Sequence, residues 1–409
     1  MTVSAPVRHE VSPPPAAAAS LRWAWRGALT VFAFAGATGA LLRLAMATGD
    51  TFGLDPVNVR HAHSHLMYFG WATPALFALV ARRLPALGGR PVPRAGLVVG
   101  VTFALALVAY PPFLLFGYGP AEVGGALLPL SVIASALNVL AWYAFAALYV
   151  RARRDAPGSG ALRVLDLAVL FLVLSTMGAW GLPVVVATGG ADALKAALTH
   201  LFLDAFSEGW FVLGVLGLAA AEADLGARAS RLLRGATWAV AAGVPFVFAL
   251  GMAPALVPPA FGALARVGGV LVGAGLLVAA AALAPRVGGL WRLALGLLAL
   301  KAVGQLAVAA GLAASWAAVP AFRVLYLHLM LLGFVTLGLV AAARAVWGDG
   351  ATRGRGALAA AVGLLLLSLV PLTPLWPSAW GGAWVPWAVA ACALGPVLVA
   401  AWMAARTGP

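Results

Sequence analysis

The chain has 409 residues, 63% of them hydrophobic and 9% charged, with a mean hydropathy of +1.00. A water-soluble domain carries about 25% charged residues, so this composition excludes a soluble enzyme or binding module. The net charge of +14 does not point to nucleic acid, because the arginines stand in short segments between apolar runs, the pattern of membrane topology.

Residues 1–21 contain Pro13, Pro14 and Pro15, then Ala16 to Ala19, and no signal-peptide core. They read as a disordered cytoplasmic tail, with His9 inside it and without a role. Residues 22–409 form a single transmembrane domain. Apolar runs long enough to cross a bilayer predict spans near 27–47, 61–82, 95–117, 124–150, 162–188 and 194–221. Six more follow near 232–256, 261–284, 289–313, 321–345, 356–376 and 383–405. The fold class is therefore all-α, a polytopic membrane bundle of about 12 transmembrane helices. The loops leave no room for a soluble domain.

Basic residues orient the bundle. With the N-terminus inside, 20 of the 26 Lys and Arg fall on inner segments, from Arg8, Arg22 and Arg26 to Arg353, Arg355 and Arg406. The outer side keeps Arg43, Arg60, Lys195 and Arg323, while Arg266 and Lys301 fall within spans. The imbalance recurs loop by loop and places both termini in the cytoplasm of a cell-membrane protein. Trp376, Trp380, Trp384 and Trp387 surround the last outer loop as an interfacial aromatic belt. The single cysteine, Cys392, excludes an intrachain disulfide and reads as a packed core thiol.

Five histidines gather near the outer face. His61, His63 and His65 open span 2, His200 lies early in span 6 and His328 early in span 10. Four spans separate each site from the next. His65-Leu-Met-Tyr-Phe-Gly-Trp is similar to His328-Leu-Met-Leu-Leu-Gly-Phe. The spacing predicts three four-helix units in a pseudo-threefold arrangement, with His200 as the diverged third copy.

Imidazoles and carboxylates inside apolar helices are costly and mark sites. His200, Asp204 and Glu208 share a helix face at i, i+4, i+8. His61 and His65 share another, with His63 turned away by about 160°. Such a set suits a metal or haem iron, whereas a single membrane histidine is as often a hydrogen-bonding partner of a neighbouring helix. Asp166 in span 5 and Lys301 with Gln305 in span 9 read as a Lys–Asp structural pair or, on the family resemblance that follows, as inner proton relays.

These stretches resemble the haem–copper oxidase superfamily, the catalytic subunits of cytochrome oxidases and nitric-oxide reductases. Span 2, His63-Ser-His65-Leu-Met67-Tyr-Phe69 running on to Pro74, is similar to the family's helix around the low-spin haem ligand. The resemblance implies His63 or His65 as that ligand and leaves the two undecided. His200-Leu-Phe-Leu-Asp204 is similar to the reductase pattern in which the histidine binds a non-haem metal beside an acid. Tyr326-Leu-His328 stands where the family has two histidines, so His328 is implied as the second low-spin ligand and Tyr326 occupies the high-spin position. Arg60 and Arg323 precede the histidines of spans 2 and 10, as haem-propionate partners or as span-end markers. The departure is span 7, which contains no histidine between Leu232 and Leu256, where the family has a metal-binding pair.

The resemblance implies a haem-binding redox protein handling NO or O2, with haem b (one or two) and copper or non-haem iron as a second metal. His63, His65 and His328 would carry haem, His61 and His200 the second metal, and Asp204, Glu208 and Tyr326 the catalytic proton and charge chemistry. No c-type haem attachment motif occurs, so the implied electron source is another protein or quinol, with further membrane subunits as partners. The alternatives are a non-catalytic haem- or copper-binding sensor or assembly factor, and a membrane transporter.

Overall fold

The computed structural model describes residues 21–312 and 319–408. The tail, His9 and the end of span 9 at residue 313 lie outside the described residues, apart from Leu21.

Among the described residues the chain folds into twelve helical rods joined by short loops. Spans 1 to 4 are Arg22–Thr48, 56–83, Ala95–Phe116 and Leu130–Arg153. Spans 5 to 8 are Gly160–Ala187, 192–222, Ala227–Val247 and Pro259–Leu283. Spans 9 to 12 are Leu290–Ala309, 320–347, Arg355–Leu369 and Trp384–Arg406. Eleven of these are long and apolar enough to cross a membrane. Span 2 is equally long, but its first turns carry Arg60, His61, His63, Ser64 and His65, which lowers its hydropathy. The architecture is the all-α membrane bundle expected.

Local signals set the helix ends. The Asp55 carboxylate accepts the amides of Val57 and Asn58 at 2.7 and 3.2 Å, with Pro56 at the first helical position. Ser159 caps span 5 by accepting the Leu162 amide. Span 1 stops at Gly49, whose φ of 77° closes the αL cap. Span 4 begins six residues later than expected, at Leu130. Ala121–Val123 pairs instead with Ala126–Leu128 in a hairpin turning on Gly124 and Gly125.

The packing repeats every four helices. Within each unit the second helix lies against the first, and the third packs on the fourth. The fourth helix of each unit meets the first of the next: span 4 on span 5, span 8 on span 9, span 12 on span 1. This closes a ring. Spans 2, 6 and 10 meet at its axis through their later halves.

Those three central helices share a feature absent from the other nine among the described residues. Each passes through a π-helical segment: Leu66–Ala72, Ala205–Val212 and Leu329–Thr336. A π turn widens the helix by one residue and re-aims the side chains beyond it. The fifth residue of every segment is glycine, and a Cβ there would strike the first helix of the same unit. Gly70 faces Val31 at 2.8 Å, Gly209 faces Phe171 at 2.5 Å and Gly333 faces Leu297 at 3.0 Å. The threefold relation is thus written in conformation and in close contact alike.

The register differs from the expected one in the second unit. His65, Asp204 and His328 immediately precede the three π segments, so Asp204, not His200, is the mate of His65 and His328. His200 is the mate of His61, one turn earlier.

Burial changes at the same points. Beyond the π segments residues 73–81, 213–220 and 337–343 are buried without exception. Before them no residue of Asp192–Asp204 is buried, only Val59 and Ala62 of Pro56–His65, and only Phe322 of Pro320–His328. The bundle is close-packed at one end of its axis and open at the other, the histidine end. Cys392 is half-buried, packs against the main core and is unpaired among the described residues.

Candidate functional site

The histidine end divides the expected site residues into three groups. The first joins spans 1, 2 and 10. The His63 Nδ1 lies 2.7 Å from the carbonyl oxygen of Ala35 on span 1, and the ring rests on Gly39, where a Cβ would meet Cε1 at 2.7 Å. The His328 Nδ1 lies 2.7 Å from the carbonyl oxygen of Val324, one turn earlier on its own helix. A carbonyl only accepts, so both Nδ1 atoms donate and carry the proton. Both Nε2 atoms are therefore lone-pair donors, oriented by a backbone hydrogen bond as in a metal-ligating histidine. His63 and His328 lie within electrostatic reach of each other, and Arg43 of span 1 reaches both.

The second group faces the opposite side of span 2. His65 stacks on Phe113 of span 3, ring centroids 3.8 Å apart and 18° between planes. Its Nε2 is 2.7 Å from the Tyr118 hydroxyl, and its buried Nδ1 has no partner among the described residues. His61 meets the Tyr118 ring edge-on at 4.8 Å. His61 and His65 thus share a face, as their spacing requires, but it is filled by the aromatic residues of span 3 and its loop. Arg60 is exposed and lies in the field of His61 and Tyr118.

The third group lies between spans 6, 7, 9 and 10. Lys301 and Glu208 form an ion pair of 2.9 Å with side chains 0% and 2% exposed. The Tyr326 hydroxyl donates to the same carboxylate oxygen at 2.9 Å. Lys301 also donates to Gln305 at 2.6 Å and lies 4.9 Å from the centre of the Tyr326 ring. The second oxygen of Glu208 and the amide nitrogen of Gln305 are buried and unpartnered among the described residues. Asp204 lies in the field of Glu208, Lys301 and Arg323. Arg323 donates to the Gly251 carbonyl at the end of span 7 and acts on His200, whose Nδ1 would be 2.7 Å from a Cβ on Gly251.

Three residues therefore matter that the sequence did not single out as site residues. Arg43, read as an outer-side marker, is a cation whose field reaches His63 and His328. Lys301 reads from the sequence as either a proton relay or the partner of Asp166, but Asp166 binds Arg153 at 3.1 Å and the Tyr149 hydroxyl at 2.8 Å. Lys301 faces Glu208, which sits inside the π segment of span 6. Ala35 contributes only a backbone oxygen, which carries no side-chain signal.

The arrangement bears on a second metal. Among the described residues no group of three or more His, Cys, Asp or Glu comes together to hold a metal ion. His61 lies against span 3 and His200 against span 7, with different partners. The Glu208 carboxylate is already compensated by an ammonium group, which would repel a cation placed beside it.

No protein-family model and no curated protein sequence matches the chain.

Proposed function

We propose that the chain is a haem b-binding redox protein of the cell membrane, a divergent relative of the haem–copper oxidase superfamily, with His63 and His328 as the axial pair. The supporting observation is the matched preparation of these two imidazoles. Each gives Nδ1–H to a backbone carbonyl, each keeps Nε2 as an electron-pair donor, and the two stand in each other's field across spans 2 and 10. They also fit haem by position, on half-buried turns around the ring axis and beside Arg43, a suitable partner for a propionate.

Haem bound there supplies one-electron redox chemistry. The protein's own part is to hold both rings in a fixed tautomer, to set a positive charge beside them and to keep the far end of the bundle dry. His65 is the weaker candidate, because its Nε2 is engaged by Tyr118 and its ring stacks on Phe113 of span 3. Asp204 stands where protons could enter from the open end, and Tyr326 fixes Glu208.

The Lys301–Glu208 pair favours one haem over a haem with a second metal, copper or non-haem iron. This suits electron transfer or haem-dependent sensing of NO or O2 better than multi-electron reduction at two metals. Electrons would come from quinol or a partner protein. The positive-inside imbalance places the histidine end on the outer side and both termini in the cytoplasm.

The test is the visible spectrum of the purified protein, oxidised and dithionite-reduced, with a pyridine haemochrome assay. A low-spin b-type α band that disappears in His63→Ala and His328→Ala but persists in His65→Ala is expected. A protein that stays colourless after haem supplementation during expression overturns the proposal.

A further inference from the structure

At the end of the bundle remote from the histidines, spans 5 and 7 enclose a groove of about 290 Å³. One wall is the face of span 5 from Gly160 to Leu170, the other the stretch of span 7 from Leu233 to Trp238. Leu170 and Trp238 line it and are 47% and 59% exposed, on a surface that faces lipid. The span-5 wall covers ten residue steps, about 15 Å at 1.5 Å each. The span-7 wall covers five steps, about 8 Å, so the groove is shallower than one leaflet of a hydrocarbon core about 30 Å thick.

Charge distinguishes this groove from ordinary lipid-facing surface. Arg163, in the first turn of span 5, and Arg234, about two turns into span 7, line it. Among the described residues neither has a carboxylate partner, whereas Asp166, the acid in the groove, is held by Arg153 and Tyr149. Two guanidinium groups without a carboxylate partner among the described residues thus line a slot whose other walls are mostly apolar. Guanidinium binds phosphate through two parallel hydrogen bonds, and a basic recess between membrane helices suits an anionic headgroup.

We infer that the groove between spans 5 and 7 is a binding site for one anionic phospholipid. Its phosphate is held by Arg163 and Arg234, and an acyl chain lies along Leu170 and Trp238. The inference is independent of haem.

The test titrates the delipidated full-length protein in detergent with phosphatidylglycerol or phosphatidylcholine, read by thermal stability and by native mass spectrometry. One phosphatidylglycerol is expected to remain bound and to raise the melting temperature at concentrations where phosphatidylcholine does not. The R163Q/R234Q variant is expected to weaken this by about tenfold or more. Arg228→Gln, which removes a charge that does not line the groove, is expected to bind as the parent does. If the double variant fails to fold, R163Q and R234Q singly carry the same expectation, each with a partial loss. Equal stabilisation by the two lipids, stabilisation by inorganic phosphate alone, or unchanged affinity in the arginine variants would each overturn the inference.

Discussion

His63 and His65 stand two residues apart and face different helices. The sequence narrows the choice of ligand to this stretch, because polar residues at the start of a membrane span are rare enough to notice. It stops there, because what separates the two rings is a backbone oxygen on span 1 and an aromatic stack on span 3. Lys301 teaches the same lesson more sharply. Its partner could not be read from spacing, since Lys301 and Glu208 lie on different spans. The pair also makes a stability prediction. Removing one partner of a buried ion pair costs about 3–5 kcal/mol, while removing both is far milder. Lys301→Met should therefore destabilise the protein by about that amount, with most of the loss recovered in the K301M/E208Q double variant. Denaturant unfolding in mixed micelles reads both. A double variant no more stable than K301M would show that the pair is not the coupled unit described here.

At the scale of the element, the repeat was visible and its register was misplaced. The similarity of the His65 and His328 stretches correctly pairs spans 2 and 10, because both keep histidine, Leu-Met, glycine and an aromatic in order. In span 6 the corresponding stretch begins at Asp204 and keeps only Gly209 and Trp210 of that pattern. Matching histidine to histidine therefore slipped the alignment by one turn. The glycines are the more reliable marker, because each sits where a helix must approach closely. Their contacts grade the expected cost of a methyl group. A Cβ on Gly209 would come within 2.5 Å of both Cβ and Cγ of Phe171, whereas on Gly333 it would meet a flexible Leu297 methyl at 3.0 Å. Overpacking costs about 1–3 kcal/mol, against a gain of up to about 1 kcal/mol from replacing a helical glycine by alanine. Gly209→Ala should thus be clearly destabilising and Gly333→Ala close to neutral in the same unfolding measurement. Equal effects would mean that the second unit is not held by this contact.

For the whole molecule, twelve spans were legible because apolar length is a coarse and robust signal. The hairpin at Ala121–Val123 and Ala126–Leu128 was not, since its second strand is as apolar as the span it was assigned to. Nor did the sequence reveal that the axis is packed at one end and open at the other, a difference created by where the central helices converge. Direction across the membrane is written in the charge of the loops rather than in the packing of the helices. The distribution of basic residues predicts it, and single cysteines can read it. In a Cys392→Ser background, which leaves no other thiol, Glu122→Cys lies on the exposed hairpin between spans 3 and 4. Gly288→Cys lies between spans 8 and 9, exposed and with nothing within 4 Å of its Cβ position. These loops should face opposite sides. A membrane-impermeant maleimide applied to intact cells should label Glu122→Cys at once, and Gly288→Cys only after permeabilisation. The reverse pattern would put the histidine end in the cytoplasm, and an electron donor to the proposed haem would then have to be sought on that side. Labelling of both positions from outside would contradict the odd number of spans between them and overturn the twelve-span topology.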